Sequence, residues 1–125
     1  MASDTPTRTT VSDLTDLLAE PGNGVHWSLE PPSDLNVNLV RLEPGHEIGE
    51  HVNQSADVAI VVIAGSGQLV CGREEHLLVP NTVANVPRGT SRRIVAGENG
   101  LGYLTVHGRR SLTIGTAARD DPAGS

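Results

Sequence analysis

The chain has no lysine and no phenylalanine, and only one each of cysteine, tryptophan, tyrosine and methionine. Without lysine there is no Schiff-base amine and no phosphate-gripping lysine of the P-loop kind. A single cysteine, Cys71, excludes an intramolecular disulfide framework, which is consistent with a reducing compartment. Trp27 and Tyr103 are the sole aromatics, so little is available to stack on bases. Nine Arg against fifteen acidic residues leave a net charge of −6, which opposes attraction to phosphate backbones. No nucleic-acid partner is expected.

Long apolar runs are missing as well. The longest, Val58 to Ala64, is far short of the roughly 20 residues a membrane-spanning helix needs. Met1 to Thr10 lacks the apolar stretch of a secretory signal. A cytoplasmic protein with no membrane partner is therefore expected. At 125 residues the chain has surface enough to close one core.

What is abundant is turn chemistry, with 14 Gly and 8 Pro. Ser12 to Glu20 reads as one short helix, with Ser12 as N-cap, Asp13 and Asp16 near the positive end of the dipole, and Leu14, Leu17 and Leu18 on one face. Pro21-Gly22 stops it. From Val25 the period changes to two. The strand-like runs are Val25–Leu29, Asn36–Leu42, Val58–Ile63, Gln68–Cys71, Glu74–Leu78, Val83–Val86, Arg92–Ala96, Gly102–His107 and Leu112–Ile114. Glu43-Pro44-Gly45, Gly65-Ser66-Gly67 and Pro87-Arg88-Gly89 read as turns, and Gly72-Arg73 as a tight hairpin. The expected organisation is a tail and short helix over 1–24, an all-β barrel over 25–115 and a flexible C-terminal tail over 116–125.

Two segments carry a family resemblance. Pro44-Gly45, His51-x-Asn53, Asp57, Val61 to Ile63 and Gly65-Ser66-Gly67 resemble the first motif of the cupins, in which Gly precedes His-x-His, then Glu, then a strand into a Gly-x-Gly turn. Asn81 to Ala96 is similar to the second motif, matching it at Pro87 and Gly89. The resemblance implies a small single-domain cupin: a double-stranded β-helix, or jelly-roll barrel, with one short N-terminal helix. It also implies a homodimer, which covers open sheet edges.

In that family the two His and the Glu of the first motif and a His of the second bind a divalent metal. The matching positions here are His51, Asn53, Asp57 and Arg92. Asn53 offers a neutral amide oxygen, a poorer donor than imidazole for borderline metals. Arg92 stays protonated and has no lone pair to give. The metal site is thus degenerate, and no metal cofactor is favoured.

Strand parity places Asp57, Ala59, Val61 and Ile63 on one face of their strand and Arg92, Ile94 and Ala96 on one face of theirs; with Asp57 and Arg92 both pointing inward in the barrel, an Asp57–Arg92 pair is expected. Three readings stay open. The barrel binds a small polar or anionic metabolite through His51, Asn53, Asp57, Arg92, Tyr103 and His107, since a guanidinium fork suits a carboxylate or phosphate. Alternatively, Asp57 and Arg92 form a structural ion pair that fills the space. As a third reading, His46, His51, Asp57 and His107 rebuild a site for Fe, Mn, Zn or Ni in a cupin enzyme of the isomerase, lyase or dioxygenase type. For acid–base work His51 and Asp57 are the candidate catalytic pair. Arg93, Arg109 and Arg110 read as solvated surface charges, His26 and His76 as strand-surface residues, and Cys71 as a thiol without a basic partner.

Overall fold

The computed structural model describes residues 9–30 and 33–108. The expected strand at Leu112–Ile114, Arg109, Arg110 and the C-terminal tail lie outside the described residues. One short helix, α1 (Thr15–Ala19), precedes seven strands: β1 (Gly24–Ser28), β2 (Leu35–Leu42), β3 (Glu47–Val52), β4 (Val58–Cys71), β5 (Glu74–Leu78), β6 (Val83–Val86) and β7 (Ser91–Gly108). All pairings are antiparallel.

Two strands make both layers. The second half of β7 pairs with β2 and with the first half of β4, which in turn pairs with β6. This gives a first sheet in the order β1-β2-β7-β4-β6. The first half of β7 pairs with β3 and with the second half of β4, which pairs with β5. This gives a second sheet in the order β3-β7-β4-β5. Gly65-Ser66-Gly67, expected as a turn between two strands, is therefore a bend inside one 14-residue strand. The same holds for β7, which runs unbroken for 18 residues where two runs were expected. Strands that switch sheets turn their corner at bends or bulges, and the pairing of β4 with β7 shifts register at Val62/Ala64 and Gly65/Gly67.

The corner demands glycine. Gly65 has φ +75°, and a Cβ there would stand 2.1 Å from the Gly100 carbonyl oxygen; at Gly67 it would stand 2.4 Å from that of Val95. The core between the sheets is aliphatic, built from Val40, Leu42, Val58, Ile60, Val62, Leu69, Leu78, Val86, Ile94, Ala96 and Leu101, with Tyr103.

Three local expectations are corrected. The helix is five residues long with Leu14 at its N-cap and no side-chain cap; Asp13 Oδ1 accepts the Thr15 amide at 2.9 Å in place of a Ser12 cap. Such a helix gains its order from packing. Leu18 lies over Gly102, its carbonyl accepts Arg41 Nε at 2.9 Å, and the Leu17 carbonyl lies 2.9 Å from His26 Nδ1. His26 is thus a tie between helix and barrel rather than an idle surface residue. Strand β3 was not anticipated, because Gly49 and Glu50 sit at a register shift between Ile48 and His51 that hides its alternation. The Gly72-Arg73 hairpin is as expected: Cys71 pairs with Glu74, and Gly72 takes φ +62° at the first turn position.

Candidate functional site

In antiparallel sheets, directly opposed residues point to the same face, so register sets out the two inner walls. On the second sheet His51 stands opposite Arg92. Val70 stands opposite Arg93, which brings Cys71 level with Arg92, and Cys71 stands opposite Glu74. One row thus runs His51, Arg92, Cys71, Glu74 across β3, β7, β4 and β5. The first sheet answers with a column along β7: Tyr103 beside Val40 and Val62, Thr105 beside Asn38 and Ile60, and His107 beside Asn36.

Arg92 is the largest fully buried side chain, 1% exposed. Its Nη2 is buried with no hydrogen-bond acceptor in reach among the described residues. Burial pushes the phenol of Tyr103 far above its usual range, with the Arg92 charge pulling the other way. Burial and Glu74 likewise push the Cys71 thiol up while Arg92 opposes them. The guanidinium therefore acts electrostatically on Tyr103 of the first sheet and on Cys71 of the second. Thr105 and His107 are buried as well, and Asn38 Nδ2 donates to Asn36 Oδ1 at 2.7 Å.

The structure divides the expected site residues. Arg92, Tyr103 and His107 are buried, and His51 lies on the Arg92 row, half-buried. Asn53 is 1% exposed, but its Oδ1 accepts the amides of Ser55 and Ala56 at 2.9 and 3.0 Å, and its carbonyl accepts Gly89 N at 2.8 Å. It folds a turn.

Asp57 is exposed, and its Oδ1 accepts the Arg88 amide at 2.9 Å. The inward face of β4 is Val58, Ile60 and Val62, the opposite parity to that expected, and the Asp57–Arg92 pair and the His51–Asp57 dyad do not form. Asp57 and Asn53 together fasten their loop to the turn at Pro87-Arg88-Gly89, where Thr90 N donates to Pro87 O at 3.1 Å. His46 is exposed, and its carbonyl accepts Ala96 N, four residues and so roughly 13 Å along β7 from Arg92. Cys71, dismissed for want of a basic partner, has Arg92 beside it. That neighbour was hidden because it depends on the register of two strands far apart in sequence.

Solved structures share this architecture. A double-stranded β-helix protein from Klebsiella pneumoniae matches with a TM-score of 0.65 and 19% identity over 81% of this chain and 90% of that one. A cupin-2 domain protein from Shewanella frigidimarina matches with a TM-score of 0.63 and 18% identity over 79% of this chain and 95% of that one. The chain has the cupin fold. A cupin-superfamily sugar phosphate isomerase from Silicibacter pomeroyi matches with a TM-score of 0.57 and 33% identity, over 62% of this chain and about half, 52%, of that one. No protein-family model and no curated protein matches the sequence.

A cupin metal would need the four motif positions to converge as donors, and they do not fit one. Arg92 carries a fixed positive charge at the second-motif position. The Asn53 amide oxygen is engaged by its own turn, and the Asp57 carboxylate lies outside. Among the described residues no three of His, Cys, Asp or Glu cluster as a cation would require. No helix there is long and apolar enough to cross a membrane.

Proposed function

We propose that this cupin binds a small anionic metabolite, a carboxylate or phosphate, inside its barrel through Arg92, without the family's metal centre. One observation carries the reading: the Arg92 side chain is 1% exposed, inside a barrel that also buries Tyr103, Thr105 and His107. A buried cation is costly to keep, and a planar fork of donors matches a carboxylate or phosphate with bidentate geometry. His51 beside it and Tyr103, Thr105 and His107 opposite supply further polar contacts. Asn53 and Asp57 take no part in this pocket, since each serves the loop that shapes its rim.

The sugar phosphate isomerase among the structural neighbours makes sugar phosphates suitable probes. The test is the melting temperature of the wild type and Arg92→Met against a panel of small carboxylates, sugar phosphates and their uncharged analogues. A ligand at 100 times its dissociation constant stabilises by about 2.7 kcal/mol. The expected result is a rise with at least one anion, absent with its uncharged analogue and absent in Arg92→Met. Equal shifts in the two proteins, or no shift with any anion, would overturn the proposal.

A further inference from the structure

The anion reading uses the polar walls and leaves a large feature unexplained. A cavity of about 640 Å³ opens between β5 and β6. These strands border opposite sheets, and among the described residues each pairs with β4 alone and no strand bridges the gap between them. Its lining includes Leu69, Leu78, Ala84 and Val86 and also Cys71, Glu74, His76 and Thr90. Seven of the thirteen lining residues are apolar, so the walls are mixed. Its size falls within the roughly 300–1,000 Å³ of small-molecule sites.

Cys71 joins this cavity to the anion site. The thiol lines the cavity and stands level with Arg92 on the neighbouring strand, close enough for the guanidinium to act on it electrostatically. Glu74, the acid on the same row, is turned to His76, with Oε1 3.2 Å from Nε2. A molecule entering between β5 and β6 meets a mixed apolar and polar lining that includes Cys71, the neighbour of Arg92 across β4 and β7.

We propose that this cavity is the entrance and apolar half of the Arg92 site, and that its ligand is a small amphipathic carboxylate whose hydrocarbon body rests on Leu69, Leu78 and Val86. This deepens the anion reading and rests on it. Cys71, half-buried and the only thiol in the chain, reports on both halves at once.

The experiment compares alkylation of Cys71 by iodoacetate, which is anionic, and by iodoacetamide, its neutral isostere. Within one protein the ratio of the two rates is independent of how much thiolate is present, so it isolates the local field. Buried fields raise local counter-ion concentration about tenfold or more. The ratio is expected to fall at least fivefold in Arg92→Met, with near-ultraviolet circular dichroism to verify the fold. Hexanoate is expected to slow iodoacetamide at least fivefold in the wild type, a measurement that needs no variant.

An unchanged ratio in folded Arg92→Met overturns the entrance. So does a hexanoate that raises the melting temperature through Arg92 while leaving the Cys71 rate untouched, although the anion site itself then stands. Absence of both protection and thermal shift, with all other anions also silent, removes the two readings together.

Discussion

The middle of β7 and its two ends solve opposite problems. At the bend, backbone packs on backbone: Gly65 lies against Gly100, Gly67 against Val95, and Ala96, Leu101 and Leu42 close the space between the sheets. At the far ends of the two arms the same strand carries Arg92 and His107, buried polar groups that aliphatic packing alone would never require. The bend is shaped for closure. The arm ends bury polar groups able to bind a ligand, which is why function is sought there.

The largest effect that separates the middle from the ends is expected at the bend. Gly65→Ala adds a Cβ 2.1 Å from a carbonyl oxygen at a residue with φ +75°. Backbone clash and left-handed strain together put the cost at roughly 4 kcal/mol or more, comparable to the whole stability of a marginal domain. Urea denaturation is the measurement. A loss below about 1 kcal/mol would mean the corner is loose and the contrast with the arm ends is unfounded.

Arg92→Met is expected to do the reverse, sparing the fold while removing the ligand. Truncating one partner of a buried charge pair typically costs about 2–5 kcal/mol of binding, and calorimetry with an anion that stabilises the wild type would show it. A flexible apolar chain of similar length fills the site, so the melting temperature is expected to stay near that of the wild type. A variant that unfolds instead would place Arg92 with the packing residues.

Asn53→Ala is expected to cost about 1–3 kcal/mol, the penalty for stranding buried amides, because the Oδ1 that serves Ser55 and Ala56 disappears. Ligand affinity is expected to hold in the folded fraction. An affinity loss as large as that of Arg92→Met would put Asn53 back in the pocket, where the motif resemblance had placed it.

These cases also show what the sequence could reveal. The alternation of β7 was legible, and Arg92, Ile94 and Ala96 share a buried face as parity predicts. On β4 the same rule failed, since Val58, Ile60 and Val62 are buried and Asp57 is not. A one-residue shift in register exchanges the two faces of a strand, and the motif had assigned Asp57 the inward phase. Both faces of Val58 to Ala64 are apolar, so composition could not correct the error. The glycine pairs marked corners correctly but not that the chain continues through them as a strand. Contacts set by distant pairing, such as Cys71 with Arg92 or His26 with Leu17, have no local signature.

The smallest expected effect lies away from both ends, where the segment before β1 is tied to β2. Glu43 accepts the Gly22 amide and, at 2.9 Å, Arg41 Nη1. The Gly22 hydrogen bond first, and Arg41 second, hold its carboxyl below the ordinary glutamate range. A carboxyl depressed in the folded state stabilises that state above its unfolded value, and the stabilisation is lost as pH falls through the folded value. Wild-type stability is therefore expected to drop on acidification below the usual glutamate range by more than that of Glu43→Gln, which has no charge to lose. Parallel denaturation curves at neutral and acid pH measure the difference, and the contact is exposed enough that screening keeps it small. Identical pH profiles would show that the tie contributes nothing and that helix α1 is held by Leu18, His26 and Arg41 alone.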